Sequence, residues 1–190
     1  MGFAVNYLDQ SGRANRNGAN KKKEVRSMKE KMEQLVQVAR NIEQEVSTAV
    51  ARWRDLPDAS LRFRPSEDAW SVKEITGHLI DSASNNHQRF VRLQLMERLT
   101  FPDYGKDNIH WVIIQNYQNR KWDELLDLWR LYNVQLAYLI RSVDPACLNH
   151  VWHVDAQNEI SLFDLMTDYL RHLKIHIDQI ADNLAAVHER

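Results

Sequence analysis

The sequence predicts an all-α protein, a four-helix bundle with a short extra helix between helices two and three. Three observations carry this expectation. Four long segments repeat apolar residues at steps of three and four, the period of a helix with one buried face. Only five glycines and four prolines interrupt 190 residues, which leaves few turns and favours few, long helices. No alternating strand pattern and no repeat of solenoid length is found. Four such helices bury their stripes by packing on one another.

The elements follow in order. Residues 1–27 are rich in Asn, Gly, Lys and Arg, without periodicity, and carry six basic side chains against Asp9 and Glu24. They read as a disordered basic tail, either solvated, an arm for an anionic partner, or the product of a start ahead of Met28. The domain is expected over 28–190. From Met28 the seam Met28, Met32, Leu35, Ala39, Ile42, Val46, Ala49 and Trp53 marks helix one, which ends near Leu56 before "PDASLRFRP". "SVKE" offers a capping box, Ser71 with Glu74, that starts helix two and carries it toward Leu99. "FPDYGKD" is a turn and "NIHWVIIQNY" the short extra helix. "KWDELLDLWRLYNVQLAYLIRSV" is the third long helix, stopped by Asp144 and Pro145. The polar stretch 144–160 reads as an irregular linker. Ser161, with Asp164 three residues on, opens the last helix through Leu162, Met166, Tyr169, Leu173, Ile177, Ile180 and Leu184.

Composition narrows the function classes. A net charge of -1 gives no general attraction to nucleic acid or to an anionic membrane, so neither is expected as a partner. The single cysteine, Cys147, excludes an internal disulfide and an all-thiolate metal site, and fits a reducing compartment. No apolar run is long enough to span a membrane, and "MGFAVNYLDQ" is too short and polar for a signal-peptide core and lacks the Ser or Thr of a myristoylation signal. A cytoplasmic protein is expected.

The chemistry concentrates in the helices. In "RHLKIHIDQI", His172 and His176 lie one turn apart on a stripe that otherwise calls for leucine, and imidazoles four residues apart on a helix can share a metal ion. Alone the pair has a bland alternative, a surface or hydrogen-bonded core pair. Helix two adds His78, followed on the same face by Ser82, Asn85 and Arg89, which form one wall of an interhelical pocket or else a buried polar network. Asp168, one turn before His172, and Asp81, three residues after His78, are the carboxylates placed to orient an imidazole or move a proton, with a solvated helix face as the alternative for each. Leu173 stands where a zinc protease would place its Glu, which disfavours peptide hydrolysis by that route. His87, His110, His150, His153 and His188 rank lower, and Trp70, Trp122 and Trp129 are expected to pack helix starts and seams.

With "WSVKEITGHLIDSASNNHQRF" and "DYLRHLKIHIDQI" in view, the chain resembles the DinB-like superfamily over about residues 30–186. That group includes the YfiT-type metal-dependent hydrolases and the bacillithiol and mycothiol S-transferases. The resemblance implies an up-down-down-up bundle, one divalent metal, nickel or zinc, held by His78, His172 and His176, and a homodimer. It also implies a small-molecule substrate, with a low-molecular-weight thiol as co-substrate in the transferases. Three readings are open: a thiol S-transferase or hydrolase, a non-catalytic metal-binding protein, and a stress-associated interaction module.

Overall fold

The computed structural model describes residues 11–155 and 157–188, with side-chain surroundings from Lys23 to Val187. Four long helices dominate: α1 (Ser11–Trp53), α3 (Val72–Arg92), α5 (Trp122–Arg141) and α6 (Leu162–His188). Two shorter ones, α2 (Asp58–Arg62) and α4 (Asn108–Gln115), lie in the connections. The predicted seam of α1 packs inward, with Leu35, Ala39, Ile42, Val46, Ala49 and Trp53 buried and Met28 and Met32 partly so. Trp53 stacks on the fully buried Trp129 of α5 at 5.4 Å. Trp122 donates its indole N–H to the Trp53 carbonyl at 2.8 Å, which satisfies the one polar atom of a buried ring.

Helix α1 packs on α5 and α6, as does α3, so α1 and α3 are diagonal across the bundle. Side-chain pairs fix the directions. Glu43 meets Arg141 and Arg54 meets Asp127, so α1 and α5 are antiparallel. Lys31 reaches Asn149 and the Phe163 ring while Glu45 reaches Lys174, so α1 and α6 run parallel. His78 faces His176 and Phe90 faces Tyr169, so α3 and α6 are antiparallel. The order is therefore up-down-down-up.

The caps behave as the sequence predicts. Ser71 Oγ accepts from the Glu74 N–H and Glu74 accepts from the Ser71 N–H. At α6, Ser161 Oγ accepts from the Asp164 N–H. Each cap supplies acceptors for N–H groups that have no partner inside the helix.

Several boundaries differ from expectation. Helix α1 already runs from Ser11, so residues 11–27, read as tail, are helical here, whereas residues 1–10 lie outside the described residues. Once a helix is nucleated, adding residues costs little, and a packed α1 serves as the nucleus. Helix α3 stops at Arg92 instead of reaching Leu99, because 98–100 forms β1 (Arg98–Thr100). The linker carries β2 (Val151–His153) and β3 (Glu159–Ser161). Strand β2 pairs parallel with β1 and antiparallel with β3, which aligns Leu99, Trp152 and Ile160. Leu99 and Trp152 are buried, and Trp152 donates its indole N–H to the Phe101 carbonyl at 2.8 Å. This small sheet caps one end of the space between α3 and α6.

Candidate metal centre

Because α3 and α6 are antiparallel, the first half of α3 faces the middle of α6 around residues 172–176. That brings His78 opposite His172 and His176, which share one face of α6. Their candidate ligand nitrogens all lie within 4.8 Å of one another. Ring centroids are 5.4 Å apart for His78–His172 and 4.6 Å for each of the other two pairs. Three nitrogens about 2 Å from a common ion sit roughly 3–4 Å apart, so a separation at the upper bound closes by about 1–2 Å to complete the set. Among the described residues this is the one group of three or more His, Cys, Asp or Glu side chains able to hold an ion.

Two further observations fit a metal. His78 Nδ1 is sealed from solvent with no protein hydrogen-bond partner, an arrangement that is costly for a ring nitrogen unless it has a ligand role. His176 Nδ1 lies 2.8 Å from Gln179 Oε1. The amide oxygen only accepts, so Nδ1 carries the proton and Nε2 keeps its lone pair for an ion. His172 Nδ1 stands 3.4 Å from the Ser82 hydroxyl.

The imidazoles are held neutral. Burial, then the fields of His176 and His172, pushes His78 down to about 3. Burial, then His176, pushes His172 down to about 4, with Asp168 pulling the other way. Burial also lowers His176, opposed by its bond to Gln179. Only the neutral ring has a free lone pair, so the set is ready for a cation at neutral pH.

The cluster opens into a cavity of about 350 Å³. Ser82, Asn86 and Arg89 of α3 line it, with Asp168 and Tyr169 of α6, Asp103 and Tyr104 of the turn after β1, and Trp152 of β2. Of the wall expected on α3, Ser82 and Arg89 therefore face the cavity. Asn85 does not line it: its amide donates to the Asp81 carbonyl one turn back, and Asn86 stands on the cavity side. Asp168 sits at the rim, half exposed and paired with Arg171 at 2.6 Å. Asp81 turns away from the cavity toward α4 and the turn after it. It accepts 2.6 Å from the Tyr117 hydroxyl and also from Gln115, while its Oδ2 is buried without a partner. His153 lies on β2, bonded to Glu159 at 3.1 Å, and is not a cavity residue. Tyr104, Trp152 and Gln179 carry no sequence signal, because loops or a single side-chain bond bring them to the site.

Burial pushes Asp81 up from 3.8 to about 6, with the Tyr117 and Gln115 bonds opposing. A carboxyl whose folded value is raised contributes stability below its ordinary value, and that contribution is lost as pH rises through about 6. The span corresponds to roughly 3 kcal/mol. Asp81→Asn keeps the accepting oxygen and removes the titration. In metal-free protein, urea unfolding should show the variant gaining up to about 3 kcal/mol on wild type between pH 4 and pH 7. An unchanged difference across that range would show that Asp81 is not the proton holder.

The fold and the site together define a helical bundle in which three neutral imidazoles, able to hold an ion, face an interhelical cavity. Residues 41–180 match the model of the DinB superfamily, so the chain is a member of that superfamily. No curated protein sequence matches it. Among solved structures it is similar to YfiT from Bacillus subtilis, characterised as a probable metal-dependent hydrolase with an unusual four-helix bundle topology. The likeness has a TM-score of 0.69 at 19% identity and covers 83% of this chain and 87% of that one. At that identity it speaks for the fold alone, a four-helix bundle.

Proposed function

We propose that this protein is a metal-dependent enzyme acting on small molecules, in which His78, His172 and His176 hold one divalent ion, nickel or zinc. The favoured reaction is transfer of a low-molecular-weight thiol to an electrophile, with hydrolysis as its close relative. One observation carries the reading: three imidazoles kept neutral by burial converge on a cavity of small-molecule size. An ion held there would supply Lewis acidity, which favours ionisation of a bound thiol or water.

The surrounding residues bear on the choice between thiol and water. Tyr104 is pushed up to about 12 by burial, so it keeps its proton and serves as a donor, not a base. Asp168 is tied to Arg171 and Asp81 to Tyr117, and no carboxylate among the described residues bonds any of the three imidazoles. Removing a proton from water, at about 15.7, needs more assistance than removing one from a thiol, at about 8.5. The shortage of a base therefore favours the thiol, while the likeness to a probable hydrolase supports the related reaction.

The proposal includes a homodimer, supported by exposed Leu128, Leu131, Val134 and Tyr138 along α5. It also includes a cytoplasmic setting, supported by a free, buried Cys147. No helix among the described residues is long and apolar enough to cross a membrane.

The test is conjugation of a panel of electrophiles by a panel of thiols, using protein purified without an affinity tag. Wild type should hold about one equivalent of metal and outpace His78→Ala by more than about 100-fold. Equal rates would leave a metal-binding protein without this catalysis.

A further inference from the structure

Arg89 is the strangest group in the cavity wall. It is 4% exposed, yet its partners do not match its donors. One terminal nitrogen, Nη2, makes both of its contacts with protein acceptors, 3.3 Å to Asp103 Oδ1 and 3.5 Å to the Pro102 carbonyl. Both are long for charge-assisted bonds, which run at about 2.7–2.9 Å. Nε is sealed with no acceptor, and Nη1 has none among the described residues. Asp103 is itself shared, because the same Oδ1 accepts from the Gly105 N–H at 3.1 Å. The carboxylate is placed to cap its own turn and only loosely to neutralise the guanidinium.

The guanidinium is nonetheless fixed in place. Its carbon lies 3.7 Å from the centre of the Trp152 ring, and that ring is anchored by its bond to the Phe101 carbonyl. A planar cation stacked on a fixed aromatic face presents its remaining N–H groups in one plane, the geometry that matches a carboxylate. A buried arginine with unmet donors is costly, and an oxyanion entering the cavity would lower that cost by supplying an acceptor to the terminal nitrogens, Nη1 first. Burial already lowers its pKa, opposed by Asp103.

Position adds a length requirement. Arg89 lies eleven residues beyond His78 on α3, a rise of about 16 Å, and both line the same cavity. The two residues are therefore set well apart along the α3 wall of one cavity. We propose that this cavity selects an extended small molecule bearing a carboxylate, whose charged end is held by Arg89 on its Trp152 platform while its reactive end reaches the histidines. The reach of the reactive end to the histidines rests on the proposed enzymatic function, whereas the carboxylate subsite does not.

The test uses metal-free protein, so that failure of the metal site leaves the result readable. Hexanoate and hexanamide, matched in length and differing in charge, are titrated by ligand-observed NMR. Wild type should prefer hexanoate by about tenfold. Arg89→Gln should abolish the preference, with far-UV circular dichroism confirming the helices. Asp103→Asn keeps an acceptor for Gly105 and removes the competing charge, so it should strengthen hexanoate binding severalfold. That variant keeps the idea testable if Arg89→Gln does not fold. Equal binding of the two ligands to wild type, or a preference unchanged in both variants, would overturn the proposal. On metal-loaded protein, 6-mercaptohexanoate should bind more tightly than hexanoate, and equal affinities there, with the metal-free preference intact, would count against the metal reading alone.

Discussion

His176→Ala should lose more than about 100-fold in affinity for a divalent ion while the bundle keeps its helical content. Replacing a partner that merely orients a ligand histidine costs about 10–100-fold, and removing the ligand itself costs more. Gln179→Ala supplies the comparison within the same molecule, because Gln179 holds the His176 Nδ1 proton at 2.8 Å and leaves Nε2 as the lone pair. It should fall in the 10–100-fold range. The fold should survive both changes. His176 is only partly buried and its burial disfavours the charged ring, so no core packing of the Trp53–Trp129 kind depends on it. Competition titration against a chromophoric chelator gives the affinities, and circular dichroism gives the helicity. Wild-type affinity in His176→Ala would mean that the ion is held elsewhere, and equal losses in the two variants would mean that His176 acts only through its orientation.

The three histidines of the cluster were readable because helices convert sequence spacing into geometry. His172 and His176 sit four apart on a stripe, and His78 sits on the inward face of another helix, so a bundle brings them together without reference to any loop. Ser82 and Arg89 follow by the same logic. Where the spacing leaves two adjacent residues near one edge of the stripe, pattern alone does not choose between them. Asn85 and Asn86 are that case: both donate to carbonyls one turn back, and the position of the cavity on one flank of α3 decides which of them lines it. Tyr104 and Trp152 reach the site from a turn and from a three-residue strand. Strands that short offer too little alternation to register as a pattern, and β1, the parallel partner of β2, lies about fifty residues before it. Asp81 shows the opposite failure. Its spacing from His78 suggested a role beside the imidazoles, but Gln115 at the end of α4 and Tyr117 in the connection after it draw its carboxylate to the other side.

That connection is also where a glycine becomes decisive. Gly77→Ala should destabilise the protein by about 3 kcal/mol or more, even though alanine is the better helix former by about 1 kcal/mol. Gly77 lies inside α3, and no glycine among the described residues has positive φ, so backbone freedom is not what the position requires. Close approach is. A Cβ at Gly77 would lie 2.1 Å from Tyr117 Cδ2 and 2.2 Å from Cγ, inside any tolerable contact. Tyr117 cannot swing aside freely, since it is 2% exposed and its hydroxyl is held by Asp81. Displacing the ring adds the loss of a hydrogen bond to a buried carboxyl to the overpacking cost, and together these exceed the helix-propensity gain. The consequence reaches the three-histidine cluster, because His78 is the next residue on α3 and the ring that Gly77 admits packs against that turn. Urea unfolding measures the loss, and the double variant Gly77→Ala/Tyr117→Ala separates its causes. With the ring removed, adding the methyl group should cost nothing and recover the propensity gain, a coupling of several kcal/mol between the two positions. If Gly77→Ala alone is as stable as wild type, Tyr117 does not pack against α3 as described.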